Sequence, residues 1–517
     1  MKNVRKIFMN TLMLTGVSFL MQTVSVSFNV WLTNRIGAAG IGLFQLIMTV
    51  YGLSVTLGCG GIRLASTRLA AEADSESEKP GRIIKSCIRY GFFTGCLIAL
   101  AVLFGAELIS LLWLKDSRCA IPLRVLAFSI PFVAMSSALG GYFTAMRKIA
   151  RFSAIRILEQ AVKIVSIIIL LGKLLPLGTG YSCIAIVAGM TFSELFSFVC
   201  LYILYIIDNG NYKIKSAKKG SLKKITHISI PDVSGAGARS VLLTIEHLLI
   251  PEGFRKSGSS PEQALAVYGN IHGMVFPLML YPSAILTSLS GLLVPEIAEC
   301  RSKGYDGRIN YIIKRVIKIT LIYSIAVSGI MYAFAGGLSE LIYKSSESTF
   351  FIKLLAPLIP VMYCDMTVDG ILKGLDQQFY SMKYNIIDSA LCVALVYYLL
   401  PRYSVRGYVF VLFASEIVNF FLSVRRLTIV STVAVNPLYD IFMPVACIFC
   451  SVSGVSAIAD MTGISASFSA FSLVVCIIVS LAAYFAMMYM FSSIKNEDID
   501  WFLSILGING RFLKTAY

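Results

Sequence analysis

Long apolar runs alternate with short polar loops along almost the whole chain. A helix needs about 20 apolar residues to cross a hydrocarbon layer. By that measure about fourteen spans are expected, at roughly 8–33, 41–70, 83–113, 120–146, 150–175, 178–208, 225–250, 262–295, 308–340, 349–374, 377–400, 405–430, 437–460 and 465–493. Lipid admits only helices and closed barrels, and these runs are much longer than the alternating segments of a barrel. The pattern therefore predicts an all-α polytopic membrane protein. Prolines 131, 231, 277, 282, 357, 360 and 444 fall inside or near the ends of spans and mark expected kinks.

One run carries unusual charge. The span from Ile225 holds Asp232, Arg239 and Glu246, spaced by two helical turns, so the three share one stripe of the helix. At ~1.5 Å per residue, Arg239 lies roughly 21 Å along that span, near mid-membrane. A charge at that depth is costly unless it meets water or a partner, which makes the stripe a candidate site. The bland alternative is an internal ion pair that fixes packing.

Composition agrees with the pattern. Over 517 residues the chain is 57% hydrophobic and 14% charged, well outside the range of soluble domains. The net charge of +17 could point to nucleic acid, but the basic residues lie in short loops between spans and read as topology signals. Most of the 45 Lys and Arg fall on the side of the N-terminus, including Lys79, Arg82, Arg147, Lys148, Arg151, Arg301, Lys303 and Arg308. With an even number of spans both termini are then cytoplasmic. The basic start at Lys2, Arg5 and Lys6 precedes a run too long for a signal peptide, so a retained first helix is expected.

The twelve cysteines are scattered through apolar runs, and Cys447 with Cys450 has no companion ligands, so no disulfide framework or zinc site is expected. His227, His247 and His272 are too few and too dispersed in the chain to indicate a metal centre.

The most hydrophilic stretch, residues 209–224, reads as a basic cytoplasmic linker between two halves. A faint repeat crosses it. Residues 141–159 align with 370–388, pairing Glu159 with Asp388, and TFSELFSF from Thr191 matches FASEIVNF from Phe413, pairing Glu194 with Glu416. The expected organisation is an N-lobe at 1–208, the linker, a C-lobe at 225–430, and two further helices with a tail at 431–517. Parallel repeats of this kind place a transport path between halves.

The segments IGLFQLIMTVYGLSVTLGCGGIRLASTRLAAE from Ile41, PDVSGAGARSVLLTIEHLLIPEGFR from Pro231, and VYGNIHGMVFPL with LVPEIAE from Val267 resemble the stage V sporulation protein B branch of the multidrug/oligosaccharidyl-lipid/polysaccharide flippase superfamily. The resemblance implies two six-helix lobes, two extra C-terminal helices, and movement of an undecaprenyl-linked saccharide across the bacterial inner membrane. Related lipid II flippases place cavity arginines on their first, second and eighth helices. Here the first helix has only Arg35, near its outer end, and the eighth has none mid-span.

A substrate of that kind carries an anionic pyrophosphate, which arginine grips through its planar fork and lysine meets as a point charge. Arg239, Arg63 and Lys163 are the candidate cations. Arg63 reads equally as an interfacial snorkelling side chain. Lys163 follows Glu159 by four residues, a favourable spacing for a self-neutralised pair. Asp365 and Asp369 lie one turn apart on the tenth span and repel when both are ionised, so one should hold a proton or share a cation. The resemblance to drug exporters of the superfamily, which couple through carboxylates on the seventh, eighth and tenth helices, implies sodium or proton coupling there. Glu194 and Glu416 are expected to pack within their own halves.

Three classes remain open: a flippase, a cation-coupled multidrug exporter, and a polytopic glycan polymerase or ligase. The last needs a sizeable external catalytic loop, which the loop lengths do not provide. No glycine-rich GKS or GKT phosphate loop occurs, so ATP hydrolysis by this chain is not expected, and no cofactor is implied.

Overall fold

The computed structural model describes residues 2–75, 80–209, 221–432, 436–461, 469–494 and 497–498. Most of the basic linker, including Lys218, and the tail beyond Asp498 lie outside the described residues. Among the described residues the chain is helical and has no strand. Nine helices among the described residues are long and apolar enough to cross a membrane, or up to eleven if each bent pair is one span.

The chain packs as two compact units, residues 1–273 with 389–408, and residues 274–388 with 409–517. The first contains α1 (Lys2–Cys59), α2 (Ile62–Ser75), α3 (Pro80–Leu108), α4 (Ala120–Ala127), α5 (Ile130–Ala145), α6 (Ile149–Leu174), α7 (Thr179–Asn209), α8 (Ser221–Lys256) and α9 (Pro261–Gly269). The second contains α10 (Phe276–Leu280), α11 (Ala284–Ser302), α12 (Asp306–Ala333), α13 (Ala335–Tyr343), α14 (Ser346–Leu355), α15 (Ile359–Gly374), α17 (Met443–Met461) and α18 (Ala470–Met490). The long α16 (Gln378–Val430) contributes to both.

The two longest helices are interrupted. Gly37 (φ 74°, ψ 174°) breaks α1, and Ser404 (φ 49°, ψ −130°) breaks α16 just after Pro401. Each break falls between two spans expected from the sequence. Several expected proline kinks fall at helix starts: Pro131, Pro277 and Pro360 occupy the first turns of α5, α10 and α15, where a missing N–H costs nothing. Pro357 sits in the 3₁₀ turn between α14 and α15. Pro231, by contrast, lies inside α8 without ending it.

Within the first unit, α1 packs on α9 and α8. The α1–α9 contact is backbone to backbone: a Cβ at Gly42 would stand 2.1 Å from the Leu265 carbonyl oxygen, and one at Gly269 would stand 2.1 Å from that of Ala38. Only glycine permits that approach. A second glycine contact follows the end of α1, where Gly61 (φ +69°) lies so close to Ser229 of α8 that a Cβ would fall 2.4 Å from its Cα. The core between α2, α3, α5 and α7 is apolar, built on Leu139, Tyr142, Phe143 and Tyr205, with the Tyr205 hydroxyl donating to the Gly81 carbonyl at 2.8 Å.

A polar strap lies beyond α3. Lys115 ends the preceding turn in the left-handed region, and its ammonium meets Glu252 of α8 at 2.6 Å. Beside it, burial alone would raise the Asp116 carboxyl, but hydrogen bonds from Arg118 and its charge hold it below the usual carboxylate range.

In the second unit, Leu293, Ile297, Ile313, Ile371 and Leu372 bring α11, α12 and α15 together. At the far end of α18, Asp498 is clasped by Arg315 and Lys318 of α12.

Candidate functional site

The charged stripe of α8 divides by environment. Asp232 and Arg239 are exposed, whereas Glu246 is buried. Among the described residues, neither Asp232 nor Arg239 forms an ion pair or side-chain hydrogen bond. Glu246 instead lies within electrostatic reach of the Tyr268 and Tyr408 hydroxyls. Seven-residue spacing keeps three side chains on one stripe, but the packing of α8 against α1 and α9 decides which part of the stripe is covered.

Arg63, in the first turn of α2, is exposed and lies 5.6 Å from the centre of the Phe152 ring. Lys163 and Glu159 are both on α6, yet the carboxylate is held by Arg156, three residues earlier, at 2.7 Å. Lys163 lies within the electrostatic reach of Glu159 and of Glu194 on α7. The expected Glu159–Lys163 pair is thus part of a four-member group, two carboxylates and two cations. Arg156 was missed because its i, i+3 spacing to Glu159 gave no more signal than Lys163.

The second unit gathers a different group. Asp365 is buried and accepts from Asn419 Nδ2 at 2.9 Å. Asp369 accepts from Ser381 Oγ at 2.7 Å and from Asn385 Nδ2 at 3.4 Å. It also lines a pocket with Thr287, Ser290, Met366 and Lys373. The two aspartates share a helix face but serve different halves of α16. Glu416 of α16 lies within the field of Asp365, Asp369 and Asp388. Glu416 therefore does pack within its own unit, but against carboxylates. Its part in this group was not legible from position alone, since it lies 47 residues or more from the two α15 aspartates.

Two histidines dispersed in sequence meet in space. The His247 and His272 ring centres are 4.7 Å apart, with Tyr268 and Tyr408 hydroxyls on their nitrogens. Among the described residues, no group of three or more His, Cys, Asp or Glu could hold a metal ion.

Long helices broken at spans, buried charge within them and short connections define a multi-pass membrane protein. The fold agrees with solved transporters. It matches the inward closed conformation of the lipid II flippase MurJ with a TM-score of 0.69 at 14% identity, covering 93% of this chain and 98% of that one. It also matches an inward-facing multidrug resistance MATE family transporter of the MOP superfamily with a TM-score of 0.62 at 14% identity, over 79% and 95% of the two chains. The chain belongs to the polysaccharide biosynthesis protein family, whose model matches residues 7–300. It is 25% identical to stage V sporulation protein B of Bacillus subtilis (strain 168), over 76% of this chain and 77% of the relative. It is 20% identical to the sporulation protein YkvU of the same organism, over 75% and 87%. The protein is accordingly a multi-pass membrane member of the polysaccharide biosynthesis protein family with the fold of the MurJ and MATE structures.

Proposed function

We propose that this protein moves an undecaprenyl-linked oligosaccharide or peptidoglycan precursor across the bacterial inner membrane, by alternating access between the lobes at 1–208 and 225–430. The observation that carries the reading is Arg239, an exposed guanidinium without an ion-pair partner among the described residues, on a helix long enough to span the membrane. Such a group is costly in lipid and suited to a pyrophosphate. Asp232, Arg63 and Lys163 are the further polar groups assigned to the substrate path, with Glu159 and Glu246 as internal counter-charges. Dividing α1 and α16 at their breaks, and counting the charge-rich α6 beside the eleven spans, supports a reading of fourteen crossings with both termini on one side.

Coupling to sodium or protons is assigned to Asp365 and Asp369, with Glu416 beside them. Carboxylates gathered in a buried setting cannot all ionise without a cation or a shared proton. That acidic group also favours the second reading, a cation-coupled multidrug exporter; a glycan polymerase or ligase has no support in the geometry. The deciding experiment is translocation by the purified protein in vesicles, offered lipid II, another undecaprenyl-pyrophosphate glycan and a cationic dye. Transport of the dye alone would overturn the flippase reading.

A further inference from the structure

The first unit contains a polar cluster of two half-buried histidines and two buried tyrosines that the transport reading does not use. His247 of α8, Tyr268 of α9, His272 in the π-turn Asn270–Val275, and Tyr408 of α16 gather where α9 meets α1, His247 lying edge to face with Tyr268 and His272 and the other two pairs tilted. A π-turn is rare and often marks a functional position. Here it carries His272 next to Gly273, whose carbonyl accepts from Asn29 of α1 at 2.8 Å.

The Tyr268 hydroxyl lies 3.0 Å from His247 Nδ1, and one proton serves the two atoms. Thr49 on α1 donates its own hydroxyl proton to the Gln45 carbonyl at 2.9 Å. On the other side, His272 Nε2 and the Tyr408 hydroxyl are 2.6 Å apart. The titratable groups on the pair are Tyr268 of α9 and Tyr408 of α16, and within electrostatic reach of those hydroxyls lie Glu246 on α8 and Cys392 on α16, while α1 presents the Thr49 hydroxyl.

We propose that His247 and His272 form a binding site for one proton, which when empty leaves α9 seated on α1 and when filled favours their separation. One added proton can be held by either imidazole. A second would set two imidazolium rings 4.7 Å apart, so like-charge repulsion limits the site to one. The charge enters a contact made of backbone and apolar side chains around Gly42, Gly269 and Ile41. A state in which α9 has left α1 hydrates that charge better, and by linkage the state that binds the proton more tightly is the state the proton populates. The site does not depend on which substrate is carried.

The test uses the full chain in lipid nanodiscs with spin labels at Arg35 and Glu262, at fixed sodium, between about pH 8 and pH 5, a range that brackets imidazole titration. In otherwise unaltered protein, the longer-distance population should grow several-fold on acidification. His247→Gln with His272→Gln should abolish the growth. Tyr408→Phe, which keeps both rings but removes one hydroxyl partner, should retain the response with a displaced midpoint. A distance distribution indifferent to pH, or a double variant that titrates like the parent, overturns the proposal. Should the double variant not fold, an unmoved midpoint in both His247→Gln and Tyr408→Phe overturns it equally. The same titration on an Asp365→Asn, Asp369→Asn background separates this site from the carboxylates of the second unit: loss of the response there assigns the proton to them and overturns the histidine site.

Discussion

Arg156 donates to the buried Glu159 carboxylate at 2.7 Å on α6, and the internal repeat puts Asn385 in the place of Arg156 and Cys392 in the place of Lys163. One half of the chain thus carries fixed cations beside its buried carboxylates. The corresponding half carries an amide and a thiol, with Asp365 and Asp369 added where the first half has Ser136 and Gly140. In the first unit, removing the cation should therefore strand a buried charge. Arg156→Gln is expected to lower stability by about 1 to 2 kcal/mol, the smaller end reflecting an arginine that is roughly half exposed. Glu159→Gln in the same chain should recover most of the loss. Thermal unfolding in detergent measures both.

The carboxylates of the second unit should respond to ions instead. Asp365→Asn, Asp369→Asn and Glu416→Gln each remove one ionisable carboxyl from a group whose members disfavour one another's charge. Each variant should insert and fold normally, and each should weaken the dependence of transport on sodium or pH. Unchanged ion and pH dependence in all three would return these residues to a packing role.

Arg239 separates recognition from packing. Arg239→Lys keeps the charge but loses the planar fork and should retain partial transport, whereas Arg239→Gln should lose affinity for the lipid-linked substrate by about tenfold or more at normal expression. Substrate affinity of the purified variants decides it. Parental affinity in Arg239→Gln would remove the guanidinium from the substrate path.

Topology can be read directly. In a variant without native cysteines, a single cysteine at Lys218 should be labelled only from the cytoplasm, and one at Gly258, in the turn between α8 and α9, only from outside. Equal external labelling of both would exclude the fourteen-span orientation.

The helical, membrane-spanning character was legible because each span must satisfy its own backbone in lipid, so its signal is local and continuous. The prolines marked helix starts more often than kinks, since a proline ring is accommodated where the N–H has no partner in the helix. What depends on which helix lies beside which was not legible. Asp365 and Asp369 could be placed on one face of a helix, but Asn419, Ser381 and Asn385 arrive from α16. Lys163 was visible as a partner for Glu159, while the choice of Arg156 is a matter of side-chain direction. His247 and His272 belong to different helices with a turn between them. No spacing rule brings two such rings to 4.7 Å, and the π-turn that aims His272 has no signature in its six residues.

The glycine contacts of α1 and α2 bear on how fast the molecule can move. Gly42 meets the Leu265 carbonyl and Gly269, and Gly61 meets Ser229, so both closures join main chain to main chain. A contact between long side chains must freeze their rotamers each time it forms, at a cost of up to about 2 kcal/mol for each flexible residue. Glycine has no rotamers to freeze. These two seams can part and rejoin with little reordering of their own, leaving the barrier to be set by the charged and polar groups around them.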